Sequence, residues 1–216
     1  NAFSKGEPEH GVDFADALEG LLTSVDPSTV AAVIVEPLPA NMGLVAPAAG
    51  FLEGLRAECD RVGALLIFDE VITGFGRLGT WFAAEHYGVT PDLTTFAKGV
   101  TSGYQPLGGV IVGRRVCDAL EADPSFLLRH GYTYSGHPAA CAAALVNLDI
   151  IEREGLLGEA RRMGGRLERG LRAIEADGNV DHIRGDVAIF GAALHEGHDA
   201  MVVRDRMLDL GVITRA

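Results

Sequence analysis

The chain has 216 residues, 48% hydrophobic and 22% charged, the balance of a folded globular protein with enough length to bury a substantial core. A formal net charge of −12 argues against nucleic acid, which asks for a basic footprint, and against an anionic membrane surface. No apolar run approaches the ~20 residues of a membrane span, and the first residues lack the apolar stretch of a secretion signal. Cys59, Cys117 and Cys141 are odd in number and far apart, matching neither a disulfide framework nor a metal site. These features predict a reducing, cytoplasmic setting and no metal-ligand set.

Residues 13–23 place Phe14, Ala17, Leu18, Leu21 and Leu22 on one helical face. Asp26-Pro27-Ser28 turns the chain into an apolar run over 30–35, a buried strand ending in Glu36. A loop rich in Pro, Ala and Gly leads to a helix over 50–62. At once comes a second apolar run, Ala64-Leu-Leu-Ile-Phe-Asp69, bounded by Gly63 and an acidic pair. Strand, loop, helix, strand in that order predicts a right-handed crossover of a parallel sheet. Residues 73–79 are too glycine-rich for a regular element and predict a loop facing a ligand.

A short helix over 81–87 precedes a strand that starts at Pro91-Asp92 and ends in Ala97-Lys98-Gly99. Another strand follows over 107–112. The polar loop 131–138 opens a long helix, 139–154, whose first turns are built of small residues suited to close packing. From Leu156 the character changes. Residues 156–176 form a charged amphipathic helix whose Arg161, Arg162, Arg166, Arg169 and Arg172 are expected to face solvent. A strand over 187–194, a helix over 199–210 and a strand over 212–215 complete the reading. Residues 1–154 are thus expected to be part of a larger α/β domain, and 155–216 the start of a smaller α+β domain. Opening in a loop and stopping in a strand, the chain reads as truncated at both ends.

Two residues stand out chemically. Arginine occurs sixteen times but lysine twice, at Lys5 in the polar opening stretch and at Lys98, where a β-prone segment meets a glycine. Arginine stays charged at any reachable pH, whereas a lysine can lose its proton and form a Schiff base. Lys98 is therefore a candidate covalent catalyst; the competing reading is a lysine that merely closes a strand. Asp69 ends a strand where open α/β sheets bind ligands, and a half-desolvated carboxylate there calls for a cationic partner. Its competing readings are a cap on the next element or, with Glu70, the magnesium ligands of an ATPase. The latter lacks Gly-x-x-x-x-Gly-Lys-[Ser/Thr], which occurs nowhere in the chain.

A deprotonatable lysine and an aspartate on a neighbouring strand end are what pyridoxal 5′-phosphate chemistry uses, because the carboxylate keeps the pyridine nitrogen protonated. The run from Leu65 to Gly79 (LLIFDEVITGFGRLG), then Thr90 to Gly99 (TPDLTTFAKG), resembles the signature of class III aminotransferases, fold-type I pyridoxal-phosphate enzymes. His130-Gly-Tyr-Thr-Tyr-Ser-Gly-His-Pro138 is similar to that family's phosphate loop, and the opening residues 1–9 resemble its ω-amino acid–pyruvate (β-alanine–pyruvate) branch. The resemblance implies a mainly parallel sheet flanked by helices and a homodimer or tetramer with shared active sites. It also implies transfer of an amino group from a small-molecule ω-amino acid or amine to pyruvate, a keto acid.

The same resemblance implies roles. Lys98 would bond the cofactor and move the substrate proton, and Asp69 would pair with the pyridinium nitrogen. Val71 would pack on a ring face and Ile72 would border the ring. Thr133 would hold the phosphate of the neighbouring subunit's cofactor, and Arg215 would contact substrate carboxylates. Glu36 matches an acid of the class with a structural or gating role, and His137 is expected to pack or cap rather than act as a base. The family's glycine-serine phosphate cup and ring-stacking aromatic are not in this stretch, which implies that the polypeptide alone is inactive. Asn41-Met-Gly43 and Gly50 to Arg56 are instead similar to glutamate-1-semialdehyde aminomutase, which implies an alternative function, a 2,1-aminomutase that keeps both half-reactions on one carbon skeleton.

Overall fold

A computed structural model describes residues 17–21 and 24–216. The readings that rest on residues 1–9, Phe14 and Leu22 lie outside it; residues 17–21 are helical, as predicted. The ordered elements then run β1 (Ala32–Val35), α1 (Phe51–Val62), β2 (Leu65–Asp69), α2 (Ala83–Tyr87), β3 (Leu93–Phe96), a 3-10 turn (Lys98–Thr101), β4 (Gly109–Val112) and α3 (Arg114–Glu121). After these come α4 (Pro138–Arg153), α5 (Leu156–Ala176), β5 (His182–Asp186), β6 (Ile189–Ala193) and α6 (Ala200–Asp209).

The first four strands form one sheet in the order β1-β2-β3-β4, parallel from β1 to β3, with β4 antiparallel at the edge. Alternation along β2 divides its side chains between two faces. Leu66 and Phe68 are fully buried and pack with Leu52, Leu55 and Cys59 of α1 and with Val89. Burial of each of the larger apolar side chains contributes about 1.5–3 kcal/mol. Asp69 lies on the opposite face, half-buried, with Leu65 and Ile67. One face of β2 therefore anchors the strand, and the other carries the acid.

β5 and β6 make a separate antiparallel hairpin packed on α5, as expected of the α+β part. Among the strands of this region, one is as predicted, one was not predicted and one prediction is overturned. The strand read over 187–194 is β6, and its hairpin partner β5, which Val187 and Ala188 join to it, was not predicted. This hairpin lacks the Asn-Gly signal because its positive-φ position is Val187, at φ 46°; the valine is held by packing against the Leu38, Leu78 and Ala83 cluster. Residues 212–215 are not a strand: no partner strand pairs with them among the described residues, and Ile213 is 86% exposed. The five arginines of α5 are exposed, as predicted, and two of them also bond to neighbouring elements: the Arg161 guanidinium donates to the Gly79 carbonyl and its stem lies over that glycine (φ 71°). Arg172, likewise, donates to the Ile183 carbonyl at 3.2 Å and pairs with Glu175.

Sequence reading missed α3, although Val116, Cys117 and Leu120 are its half-buried stripe between charged positions. Among the described residues no helix is long and apolar enough to cross a membrane.

Candidate active site

Parallel pairing of β2 with β3 brings the two chemically distinctive residues to one edge of the sheet. Asp69 is the register partner of Thr95, and Lys98 follows three residues later. With adjacent strands about 5 Å apart and three residues spanning at most about 10 Å, both emerge at the carboxyl ends of neighbouring strands.

Asp69 is held by two donors on one oxygen. The Thr95 hydroxyl and the Val71 N–H both reach its Oδ1 at 3.1 Å. Oδ2 has no hydrogen bond among the described residues. A carboxylate oriented in this way can accept an N–H from a ring placed beyond the strand end, which is the fit a pyridinium nitrogen requires. Lys98 is exposed, and its Nζ makes no ion pair or hydrogen bond among the described residues, as a lysine that must bond an aldehyde carbon requires. The donor set therefore suits pyridoxal 5′-phosphate, which carries an aldehyde at one end of the ring and a basic nitrogen at the other.

Backbone geometry sharpens the lysine's placement. Lys98 sits at φ 41° and opens the 3-10 turn, which closes at Ser102, φ 50°. A non-glycine residue in this left-handed region costs about 1–2 kcal/mol. Gly99 packs closely beside it: a Cβ there would stand 3.1 Å from the Phe75 Cβ, so the glycine-rich loop would have to give by a few tenths of an ångström. Phe75 in turn meets Phe82 and Phe96 edge-on, at 5.2 and 5.7 Å. The glycine-rich loop over 73–79 is thus seated on the lysine turn.

A cavity of about 690 Å³ opens here. Its wall includes Lys98, Ile72, Phe75, Arg77, Ser102 and Asn147. Asp69 and Val71 are not on that wall. Thr133 and Arg215 are exposed and share neither the cavity nor a hydrogen bond with Lys98 or Asp69 among the described residues. Thr133 belongs to a stretch, residues 121–139, in which every residue is exposed.

The acid next to Asp69 has a different fate. Glu70 is fully buried and accepts from Thr73 Oγ1 at 3.0 Å, from the Ala84 N–H at 2.9 Å and from the Ala83 N–H. It caps the start of α2. Burial pushes its carboxyl up, and the three hydrogen bonds pull against that. With both oxygens committed to these donors, Glu70 is not oriented to share a magnesium ion with Asp69, and the ATPase reading fails on this geometry. Glu36 accepts from the Ala40 N–H at 3.3 Å, within its own loop. His137 caps α4, its Nδ1 accepting from the Ala140 N–H at 3.4 Å, as the sequence predicted.

Residues 5–216 match the aminotransferase class-III family. The chain is 41% identical, over its whole length, to an omega-aminotransferase of Caulobacter vibrioides, covering 51% of that protein. It is 45% identical to a beta-alanine–pyruvate aminotransferase of Pseudomonas aeruginosa, over 85% of this chain and 42% of the relative. Among solved structures, the omega transaminase of Pseudomonas jessenii in complex with PMP superposes with a TM-score of 0.90 at 34% identity, over 100% of this chain and 51% of that one. An amine transaminase from an uncultivated Pseudomonas species, in its PLP-bound form, does so at 0.86 and 38%, over 93% and 48%. The chain thus spans about half the length of the relatives it matches. Together with the lysine and aspartate on adjoining strand ends, these matches establish that the chain belongs to the class III aminotransferases, a pyridoxal 5′-phosphate-dependent family of fold type I.

Proposed function

We propose that the protein carrying this chain transfers the amino group of an ω-amino acid or amine, such as β-alanine, to pyruvate, and that it works in the cytoplasm as a homodimer or tetramer. The observation that carries the reading is Asp69, oriented through one oxygen, beside Lys98 at the next strand end, whose Nζ has no ion pair or hydrogen bond among the described residues. The omega-aminotransferase and beta-alanine–pyruvate relatives support the choice of donor and acceptor. When bound, pyridoxal phosphate supplies an electron sink for the carbanion formed at the substrate carbon.

The chain's own groups do the rest. Lys98 Nζ would bond the cofactor's aldehyde carbon and, once freed by the substrate amine, would carry the proton that leaves the substrate carbon. Asp69 Oδ2 would hold the protonated ring nitrogen, while the Thr95 and Val71 hydrogen bonds keep Asp69 from turning. Val71 and Ile72 would supply apolar contact to the ring. Thr133 holds the phosphate bound in a neighbouring subunit; the exposure of Phe126, Leu127, Leu128, Tyr132 and Tyr134 around it supports burial against a second copy. Arg215 pairs with substrate carboxylates. In domain terms, residues 1–154 belong to the large cofactor-binding domain and 155–216 begin the small one.

The test is Lys98→Ala in the intact protein. Loss of the visible absorption band of the lysine-bound cofactor is expected, together with loss of β-alanine–pyruvate exchange. A band that survives the substitution refutes the assignment.

A further inference from the structure

The lysine turn is strained at both ends, with Lys98 at φ 41° and Ser102 at φ 50°. Strain of this kind persists only where surrounding groups over-determine it, and one side chain from outside the turn bonds it at several points. Asn147, on α4, donates through Nδ2 to the carbonyl oxygens of Gly99 (2.9 Å) and Val100 (3.1 Å). Its Oδ1 accepts from the Ser102 hydroxyl at 2.7 Å. A single amide thus binds the turn at three points within the four residues that follow Lys98, and α4 packs directly against the turn. An apolar residue of similar size would fill the same space but could satisfy neither the two carbonyls nor the hydroxyl. Asn147 and Ser102 also line the cavity that Lys98 lines.

We propose that Asn147 is a positioning residue for Lys98. By clamping the left-handed turn it sets the direction in which the lysine side chain leaves the backbone, and so the efficiency with which Nζ moves the substrate proton, without itself touching substrate. The inference rests on the reading of Lys98 as the cofactor-bearing lysine.

Asn147→Asp in the intact holoenzyme tests it. The carboxylate keeps the shape and the acceptor for Ser102 but has no N–H for the carbonyls, and it sets a negative oxygen against two of them. The turnover number is expected to fall about 10- to 100-fold, the size of effect an ångström of misplacement produces, with the donor KM changed less than about twofold. The pH midpoint of the lysine-bound cofactor's visible band is expected to move by about half a unit, and in the cofactor-free protein the Ser102 amide is expected to exchange faster. Ser102→Ala removes only the bond that orients the amide. It is expected to move the same quantities by less, and it carries the test should Asn147→Asp fail to fold. Unchanged turnover and band midpoint in a folded variant, even with a lower melting temperature, overturn the proposal and leave Asn147 a packing residue. A parent enzyme with no lysine-bound band overturns the Lys98 assignment itself, and this inference with it.

Discussion

Asp92 offers the sharpest test of how the sheet is held together, because its carboxylate joins three elements at the end opposite the lysine. It is 9% exposed, and its Oδ2 accepts both the Leu66 N–H and Arg56 Nη1 at 2.8 Å, with Arg115 at 3.6 Å. Its own N–H donates to the Leu66 carbonyl at 2.8 Å, and its carbonyl accepts from Gly113 at the same distance. β2, β3 and the β4–α3 junction therefore meet on one residue. Asp92→Asn keeps the volume but leaves one neutral oxygen for two donors. At least one charge-assisted bond is lost, worth about 1.5–3 kcal/mol. Arg56 is not stranded, since Asp60 pairs with it at 2.6 Å. The expected loss is therefore about 2 kcal/mol for Asn and about 3 kcal/mol for Ala, short of the full penalty for breaking a buried pair. For a unit of this size 2 kcal/mol corresponds to a melting temperature lower by about 4–8 °C. The Leu66 amide should exchange about 30-fold faster wherever it opens through this contact.

The pH dependence has a definite sign. Burial raises the Asp92 carboxyl, but the Leu66 N–H and the Arg56 and Arg115 charges outweigh it, holding the group below its ordinary 3.8. A depressed acid binds protons more weakly when folded. Its contribution is therefore complete above the ordinary carboxylate range and disappears as pH falls through the still lower folded value. The stability gap between parent and Asp92→Asn should accordingly be constant near neutrality and close below about pH 4. Circular dichroism melts of the intact protein and amide exchange at Leu66 measure both effects. Melting within a degree or so of the parent for Asn and Ala alike, or a gap that widens in acid, refutes the reasoning.

Two further outcomes are expected. Gly164→Ala places a Cβ 1.9 Å from the Val187 carbonyl oxygen, so α5 and the β5–β6 hairpin must separate. The overpacking penalty of about 1–3 kcal/mol exceeds the ~1 kcal/mol gained in helix propensity; a variant melting at or above the parent temperature contradicts this packing. Asp69→Asn should retain the cofactor, seen as its absorbance after desalting, while turnover drops by orders of magnitude, because a neutral amide cannot hold a proton on the ring nitrogen. Unchanged turnover removes Asp69 from the mechanism.

Much of this protein is legible in the order of its residues. The apolar runs ending at Val35 and Asp69, the helix between them and the amphipathic helix from Leu156 to Ala176 follow from periodicity and punctuation. Lys98 stands out because lysine is so rare in this chain, and His137 as a cap because a proline follows it. Other features depend on partners far away in sequence. The Val187 turn has no local signature, since contacts with Leu38, Leu78 and Ala83 replace the glycine that such a turn ordinarily uses. The segment 212–215 has the composition of a strand, yet a strand exists only where a neighbour offers its ladder.

Asp69 and Glu70 make the distinction plain. Composition presents two equivalent carboxylates, and only tertiary structure separates them. Alternation along β2 sends Asp69 to the open face beneath Thr95, whereas Glu70, one residue later, points inward to cap α2. The same holds for Asn147, an unremarkable polar position in a helix until α4 docks on the lysine turn. Local sequence determined which elements form and which side chains carry chemistry, because propensity and periodicity act over a few residues. Which acid remains available, and what holds the lysine in its strained turn, was decided by the meeting of distant backbone donors and acceptors that only the packed fold brings together.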